Sequence, residues 1–283
     1  MPSVPPLRAT LIVSTYDRPD SLERVLGSIA RQSCLPHEIF IVDQSEDPAT
    51  SGVVKLWSSR LSVTLQRFSA PNPGSRSFSS ALNCAVQAAR GDYLIFVEGD
   101  CLLHRSFISD HLAHAAAGAF VQGRRAGVRA RYVRRVSTQS FHPWIWFLQR
   151  RAYGLHEGIR RPWPAVRLND FRRVHRCNFA AWREDLWRVN GFNTAFDERG
   201  CEVIELAERL RNAGLTLKVI TGQAIVYHLD HRRTARYHTH VNENVLDRTR
   251  REKLMRCERG LAETPPAAST PATGARRIRS PRA

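Results

Sequence analysis

Five consecutive apolar residues, Tyr93 to Val97, end abruptly in two acids separated by a glycine, Glu98-Gly99-Asp100. An apolar run of this length is typical of a strand buried on both faces of a sheet. In open α/β sheets, ligands bind outside the carboxyl ends of such strands. Side chains two apart in an extended segment point the same way, so Glu98 and Asp100 are placed to hold a hard divalent cation, which in turn holds phosphate oxygens. This motif alone leaves open the alternative of a solvated acidic turn.

The residues before this strand follow a strand-helix-strand pattern, which predicts a parallel sheet. Asp20 and Glu23 resemble a capping box at the start of the first helix. The pattern predicts strands at Ala9–Ser14 and Glu38–Val42, a helix between them with Leu22, Val25, Leu26 and Ile29 on one face, and a helix at Ser75–Arg90 that stops at Gly91.

The middle of the chain differs in composition. Residues 116–176 contain 14 Arg, no Lys and two acids, mixed with aromatic residues, and their periodicity is weak. An interaction surface or a mobile connection is expected there. Regular signals return with a helix at Glu202–Ala213 and strands at Leu215–Ile220 and Ala224–Tyr227. The Pro-, Ala- and Arg-rich residues 264–283 are expected to be disordered.

Composition narrows the class of protein. The chain has 283 residues, 42% of them hydrophobic, which suffices for a real core, and a net charge of +17, which favours an anionic partner. Its six cysteines form no C-x-x-C pair, so neither a zinc ribbon nor a disulfide scaffold is expected, and reduced thiols fit a cytoplasmic protein. The first residues show no secretory signal, and no apolar run approaches the roughly 18 residues of a membrane span.

Several short motifs occur in a characteristic order. They are Ile12 to Pro19, Val42 to Ser45, Ala81 to Tyr93, Glu98-Gly99-Asp100, Arg176 to Phe179, Asn190 to Phe196, Gly200 to Ala207, and Tyr227 to His231. In this order the chain resembles the family-2 glycosyltransferases of the GT-A fold, and most of all the bacterial branch with a galactosyltransferase-type C-terminal half. The resemblance covers roughly residues 8 to 232.

The resemblance implies a fold and a division of the chain. The fold class is α/β: a GT-A-like doubly wound mixed sheet flanked by helices, in a single domain. Residues 1–115 would bind the nucleotide sugar and residues 116–240 the acceptor. A helical extension at 241–263 and a disordered basic tail at 264–283 would follow.

The resemblance also implies a reaction. It is the inverting transfer of a sugar from a nucleotide-diphosphate sugar to a glycan or lipid-linked acceptor, with Mn²⁺ or Mg²⁺ as the divalent cation. Asp100 and His228 would hold the metal, with His231 as a weaker candidate. Alternatively, His228 is a structural hydrogen-bonding residue and Asp43 an ordinary turn residue. The nucleotide-sugar site would comprise Ser14, Thr15, Tyr16, Arg18, Asp43, Arg76, Asn83, Glu98 and Asp100, and the acceptor site Asn178, Gly191 and Phe192.

One departure from the family pattern bears on catalysis. The family places the catalytic base, an Asp, where this chain has Val203, and valine cannot accept a proton. Glu202 is the neighbouring acid and the predicted replacement; alternatively it is a helix-start acid favoured by the macrodipole. If nothing replaces the base, the chain is a catalytically impaired nucleotide-binding protein.

The basic middle segment suggests a further partner. Its arginines, together with Trp144 and Trp146, predict peripheral contact with an anionic membrane, at the inner face of the plasma membrane, although core packing is the default for a tryptophan. Nucleic-acid binding ranks last because the chain lacks a recognisable module and a regular basic helix.

Overall fold

The computed structural model describes residues 7–45, 48–68, 78–137, 141–171, 174–196, 201–231 and 240–266. The strands are β1 (Ala9–Thr15), β2 (Glu38–Asp43), β3 (Thr64–Phe68), β4 (Tyr93–Glu98), β5 (Cys101–Leu103), β6 (Ala119–Gln122), β7 (Arg125–Val128), β8 (Ala152–Tyr153), β9 (Ala165–Leu168), β10 (Asn178–Trp182), β11 (Thr216–Thr221) and β12 (Val226–Leu229). The helices are α1 (Pro19–Ile29), α2 (Pro48–Ser58), α3 (Phe78–Ala88), α4 (Phe107–His114), α5 (Ala130–Val133), α6 (Pro143–Leu148), α7 (Leu155–Gly158), α8 (Arg183–Arg188), α9 (Glu202–Asn212) and α10 (His240–Arg251).

Eight strands form one mixed sheet in the order β3-β2-β1-β4-β10-β6-β11-β9. The first four are parallel, as the strand-helix-strand pattern predicts, whereas β10 runs antiparallel to both β4 and β6. Since β6, β10 and β11 join the sheet that β1 to β4 begin, the two predicted halves share one sheet. This confirms the predicted mixed α/β fold.

Apolar side chains cover both faces of this sheet. Along β4, Tyr93, Ile95 and Val97 pack into one core, while Leu94 and Phe96 pack into the other. Helix α1 lies on the first face, with its predicted apolar stripe fully buried, and α3 and α9 lie on the second. The doubly buried strand predicted from residues 93 to 97 is therefore confirmed.

A second sheet of four strands, in the order β5-β12-β7-β8, lies beyond the end of β4. It includes β12, which the sequence predicts as a strand. In this sheet His228 of β12 lies opposite Cys101 of β5 and Gly127 of β7. Two of its four strands, β7 and β8, come from the middle of the chain, where weak periodicity predicts little regular structure. Strands of two to four residues are too short to display a period, which explains the difference.

Other element boundaries also differ from the predictions. Helix α1 begins at Pro19, so Asp20 lies inside its first turn, and no side chain caps it; the predicted capping box is wrong. Helix α2 and strand β3 were not predicted, and α3 begins at Phe78, with residues 75–77 of the expected helix outside the described residues.

Helix α10 is shorter than the helical extension predicted at residues 241–263. Helix α10 ends at Arg251, and Lys253 takes a left-handed φ of 51°, which ends a helix. Turns follow as far as residue 266, and Thr264 is buried, with its hydroxyl donating to the Gly260 carbonyl at 2.6 Å. The rest of the expected disordered tail, residues 267–283, lies outside the described residues. Within the described part of the chain, every helix is too short or too polar to cross a bilayer.

Candidate active site

A cleft of about 920 Å³ opens where the carboxyl ends of β1 and β4 meet the second sheet. The crevice outside the ends of parallel strands is where open α/β sheets bind ligands. The lining comprises residues 14–18, 98–100, 174–177, 203–204 and 230–231, together with Arg125, Ala130, Tyr153 and His228. Six of the nine predicted nucleotide-sugar residues therefore line the cleft: Ser14, Thr15, Tyr16, Arg18, Glu98 and Asp100. Both predicted metal ligands, Asp100 and His228, lie there as well.

The turn after β4 separates its two acids. Gly99 donates its backbone N–H to the Ser14 carbonyl at 2.7 Å, and a Cβ at this position would lie 2.9 Å from Cβ of Thr15. Glycine therefore lets the turn press against the end of β1. The chain turns here, and Glu98 and Asp100 fall in two separate groups of possible metal ligands, which differs from the predicted convergence of both carboxylates on one cation.

Asp100 instead joins two histidines from the end of β12. Its Oδ2 lies 3.1 Å from Nε2 of His231 and 3.7 Å from Nε2 of His228, and the ligand atoms of the three residues all lie within 4.8 Å of one another. Burial raises the pKa of Asp100, but the hydrogen bond from His231 and the nearby positive charges outweigh it and lower that pKa. Asp100 is therefore a carboxylate at neutral pH.

Neighbouring side chains set the tautomer of each histidine. His228 Nδ1 lies 3.1 Å from Oδ1 of Asp230, a carboxylate that can only accept, so the proton of a neutral His228 ring is on Nδ1 and its lone pair is on Nε2, the nitrogen nearer Asp100. His231 is the reverse, since the Arg18 guanidinium donates to its Nδ1 at 2.9 Å and leaves the proton on Nε2. His228 is thus oriented as a metal ligand, while His231 acts as a donor to Asp100 as long as Arg18 contacts it.

Asp230 is itself held by a tyrosine from the second sheet. The Tyr153 hydroxyl donates to Asp230 Oδ1 at 2.8 Å. Burial and the contact with Asp230 raise the pKa of Tyr153, which keeps the hydroxyl protonated as a donor. The Tyr153 ring lies across β7 at Gly127, where a Cβ would come within 2.2 Å of it, so any other residue there would displace the ring from this position.

A second cluster on the cleft wall is built around Arg176. Its guanidinium donates to Glu98 at 2.6 and 2.8 Å and to Glu202 at 2.5 Å, and it lies 4.9 Å from the Phe78 ring centroid. Burial disfavours the charged guanidinium, but the two carboxylates outweigh this and raise the pKa of Arg176. One cation thus bridges two acids that the sequence assigns separate roles.

The position of Glu202 does not suit the role of proton acceptor that the sequence predicts for it. It is 1% exposed and its carboxylate contacts Arg176, whereas the next two residues, Val203 and Ile204, line the cleft. A base must reach the proton it abstracts. The side chains at the start of α9 that line the cleft are therefore those of Val203 and Ile204, and neither can accept a proton.

Other predicted site residues lie outside the cleft lining. Asp43 is buried at the end of β2, with Oδ2 2.8 Å from Nε of Arg67. Asn83 is fully buried and exchanges hydrogen bonds of 2.8 Å with the backbone of Phe192. Arg76 lies outside the described residues.

The three predicted acceptor residues are also interior. Asn178 donates to the carbonyls of Arg124 and Ala224 and contacts His111, while Gly191 and Phe192 pack beneath β4 and α3. A fully buried Asn whose amide group is engaged supports the fold rather than a ligand. Short motifs identify such positions without telling which way a side chain points.

Sequence reasoning did not select Arg125, Tyr153, Arg176 or Asp230 as site residues. Asp230 lies between the two histidines of the H-x-x-H motif, and Arg176 is the first residue of the motif that ends at Phe179. Tyr153 lies within the segment of weak periodicity, and nothing in its local sequence distinguishes it. Its role depends on a strand pairing, that of β7 with β8, which the sequence does not display.

Comparisons with known proteins identify the family and the fold of this chain. The family model described as glycosyl transferase family 2 matches residues 10–173, more than half of the chain. This chain belongs to glycosyl transferase family 2. A second model, described as the N-terminal domain of galactosyltransferase, matches residues 168–232, which include α9 and the loop of His228 and His231.

The curated relatives of this family 2 member are distant. The validoxylamine A glucosyltransferase of Streptomyces hygroscopicus subsp. limoneus is 26% identical over 231 residues, covering 74% of this chain and 49% of the relative. The same enzyme of subspecies jinggangensis is also 26% identical and is covered to 53%. The chain thus spans about half the length of the curated relatives it matches.

Solved structures show the same fold at low sequence identity. TarS 1-349 of S. aureus in complex with UDP-GlcNAc has a TM-score of 0.64 at 15% identity, covering 91% of this chain and 69% of that one. The mannosyltransferase PcManGT of Pyrobaculum calidifontis, in complex with GDP-Man and Mn²⁺, has a TM-score of 0.55 at 20% identity, covering 80% of this chain and 58% of that one. These likenesses establish a GT-A glycosyltransferase fold.

Proposed function

We propose that this protein transfers a sugar, with inversion, from a nucleotide-diphosphate sugar to a glycan or lipid-linked acceptor, and that it uses a divalent cation. The observation that carries the proposal is the grouping of Asp100, His228 and His231 at the carboxyl end of β4, inside the cleft. Family membership supports the reaction class. Structural neighbours in complex with GDP-Man and Mn²⁺ or with UDP-GlcNAc support the donor class.

The donor atoms favour one of the two expected cations. Carboxylate oxygens suit both Mn²⁺ and Mg²⁺, but an imidazole nitrogen is a poor ligand for Mg²⁺, which prefers oxygen. Asp100 and His228 would hold the ion, with His228 oriented by Asp230. This donor set therefore fits Mn²⁺ better. When bound, the cation would neutralise the charge that develops on the leaving diphosphate.

The chain's own residues provide the rest of the donor site. The end of β1 and its loop, residues 14–18, form a wall beside Asp100, and Arg18 and Arg125 supply positive charge to the cleft. A cationic cleft attracts a diphosphate and holds it for in-line attack. Arg176 contributes less charge because Glu98 and Glu202 already balance it.

A second function remains open for the same fold. Val203 faces the cleft where the family has its base, and Glu202 is engaged with Arg176. A protein with this arrangement would still bind nucleotide but transfer sugar slowly or not at all. The six cysteines of the chain are all free thiols. This supports a reducing compartment, such as the cytoplasm, whichever of the two functions the protein has.

The metal site is tested by Asp100→Asn, which keeps the size of the side chain and removes its charge. We expect calorimetry with UDP, GDP and dTDP to show Mn²⁺-dependent binding in the wild type and its loss in the variant. Asp92→Asn is the matched control, because Asp92 precedes the same strand at its opposite end and pairs with Arg8 on the surface. Undiminished Mn²⁺-dependent binding in Asp100→Asn, at an unchanged melting temperature, would rule out this site.

A further inference from the structure

The short helix α6 exposes an apolar face to solvent. Trp144, Ile145 and Leu148 are 65%, 50% and 86% exposed, while Trp146 and Phe147 of the same helix are buried. Residues three and four apart share a helical face, so the three exposed side chains form one patch. A lone exposed apolar residue needs no explanation, but a contiguous patch marks an interaction site.

Exposed arginines lie on and next to α5 and just after α6. Helix α5 lies beside α6, because the Arg151 guanidinium is 5.7 Å from the ring centroids of both Tyr132 and Trp146. The backbone N–H of Arg129 also donates to the Arg151 carbonyl at 3.0 Å. The exposed arginines of this surface are Arg129, Arg131, Arg134, Arg135 and Arg150. We define the α5–α6 surface as these arginines together with Trp144, Ile145 and Leu148.

The part of the chain that forms this surface contains no acidic residues. Residues 111–156 contain eight Arg and neither Asp nor Glu. A protein-binding patch needs no such exclusion over 46 residues, whereas an anionic bilayer repels every carboxylate near it. Tryptophan rings sit at the level of lipid headgroups, and arginines keep their charge in the headgroup layer while their stems cover apolar area.

The α5–α6 surface adjoins the cleft. Ala130 of α5 and Tyr153 just after α6 both line the cleft, and the Arg129 guanidinium lies 5.7 Å from the Tyr153 ring centroid. A bilayer bound to this surface would therefore lie beside the cleft mouth. Of the two acceptor classes, only a lipid-linked one is held at such a boundary.

We propose that the α5–α6 surface docks on an anionic lipid bilayer and presents the cleft to a lipid-linked acceptor. The docking itself rests on this surface alone, and the acceptor class rests on the proposed glycosyltransferase function. A membrane-docked patch combines apolar anchors with several cations, because neither gives stable binding alone.

The test is co-sedimentation of the full chain with vesicles of phosphatidylcholine, alone or mixed with phosphatidylglycerol. We expect binding only to the anionic vesicles, and a decrease as salt is raised. Two double variants should each weaken it about tenfold or more: Trp144→Ser with Leu148→Ser, and Arg134→Gln with Arg135→Gln. None of these four residues lines the cleft, so nucleotide binding and the melting temperature should stay as in the wild type.

Matched controls distinguish the contribution of this surface to vesicle binding from that of the protein's overall positive charge. Trp187→Ser removes an exposed tryptophan on α8, and Arg31→Gln with Arg90→Gln removes the same charge from other exposed positions. Both should bind vesicles like the wild type. Equal losses in the controls, equal binding to neutral vesicles, or no binding to anionic ones would overturn the proposal.

A second copy of the chain is the rival occupant of this surface. If the wild type forms a dimer without lipid in sedimentation velocity, and Trp144→Ser with Leu148→Ser makes it a monomer, the proposal is overturned in favour of self-association. Nucleotide binding is measured on the same samples. Vesicle binding without nucleotide binding would support the docking and contradict the proposed function. Nucleotide binding without vesicle binding would contradict the docking and leave the proposed function intact.

Discussion

At the scale of single residues, the turn at Gly99 gives two neighbouring acids different partners. Glu98 joins Arg176 and, through it, Glu202, while Asp100 joins His228 and His231. A carboxylate that contacts a guanidinium loses much of its ability to hold a metal ion or take a proton. The candidate metal site therefore rests on Asp100, and the start of α9 lacks a carboxylate that faces the cleft.

Restoring an acid at Val203 tests this arrangement. We expect Val203→Asp to raise the rate of sugar transfer, since general bases contribute roughly 10²- to 10⁴-fold. The measurement is kcat with a donor and acceptor pair once one is identified. Val203→Asn is the control, because it places a polar group of the same size in the same buried position without a base. Equal rates in the two variants would mean that the proton acceptor lies elsewhere.

Glu202→Gln complements that experiment. If Glu202 only holds Arg176, the variant should have a lower melting temperature and nearly unchanged nucleotide affinity. A sharp fall in kcat at an unchanged melting temperature would instead assign proton abstraction to Glu202, as the sequence predicted, because such a loss falls on the transition state alone.

At the scale of secondary-structure elements, three strands cooperate to orient one histidine. Strand β12 carries His228, β7 pairs with it and provides Gly127, and the end of β8 brings the Tyr153 hydroxyl to Asp230. Partners behind a metal ligand fix its ring and tautomer, and their loss typically reduces metal affinity about 10- to 100-fold. Tyr153 is in this sense a positioning residue.

Tyr153→Phe is therefore expected to weaken Mn²⁺ binding by about tenfold, because Asp230 loses a donor and His228 is held less firmly. Electron paramagnetic resonance of free Mn²⁺ measures this without any substrate. Tyr132→Phe is the matched control, since Tyr132 lies on α5 and contacts arginines rather than Asp230. An unchanged dissociation constant in Tyr153→Phe, with clear binding in the wild type, would contradict the role of Tyr153 but not the metal site.

At the scale of the whole molecule, two histidines couple stability to pH. Burial lowers the pKa of His111, which contacts Asn178 at 2.9 Å, to about 4, and it lowers the pKa of His104 to about 4 as well. In the unfolded chain both would titrate near 6.5. Between these values the unfolded state binds more protons, so the stabilisation is complete above pH 6.5 and is lost as the pH falls toward 4.

His104→Asn should reduce that loss. Asparagine retains an acceptor for the Ser106 N–H, which donates to Nδ1 of His104 at 3.2 Å, but it does not titrate. Urea unfolding at pH 7 and pH 5 should show a smaller drop in the free energy of unfolding, by up to about 1.4 kcal/mol per pH unit. The exposed His37→Asn is the control and should follow the wild type. An identical drop in His104→Asn and wild type would contradict the assignment.

The sequence by itself determined the frame of this protein. Doubly buried strands at β1, β2 and β4, the apolar stripe of α1 and the acidic end of β4 all follow from local patterns, because their side chains meet a core that spans many residues. The resemblance to family-2 glycosyltransferases rests on the order of short motifs, and it is confirmed by the family model. His228 was likewise identified from its motif and lies in the cleft.

Only the tertiary structure decided how the site is assembled. The contacts of Arg176 with Glu98 and Glu202 join residues 78 and 26 positions apart, and those of Asp100 with His231 span 131 positions. No local pattern encodes the direction of such side chains, so Asn83 and Asn178 were predicted as ligand-binding residues although they are buried. The exposure of Trp144 and the burial of Trp146 follow from how α6 packs against its neighbours, because a hydrophobic side chain is driven inside only where the fold leaves it a partner surface.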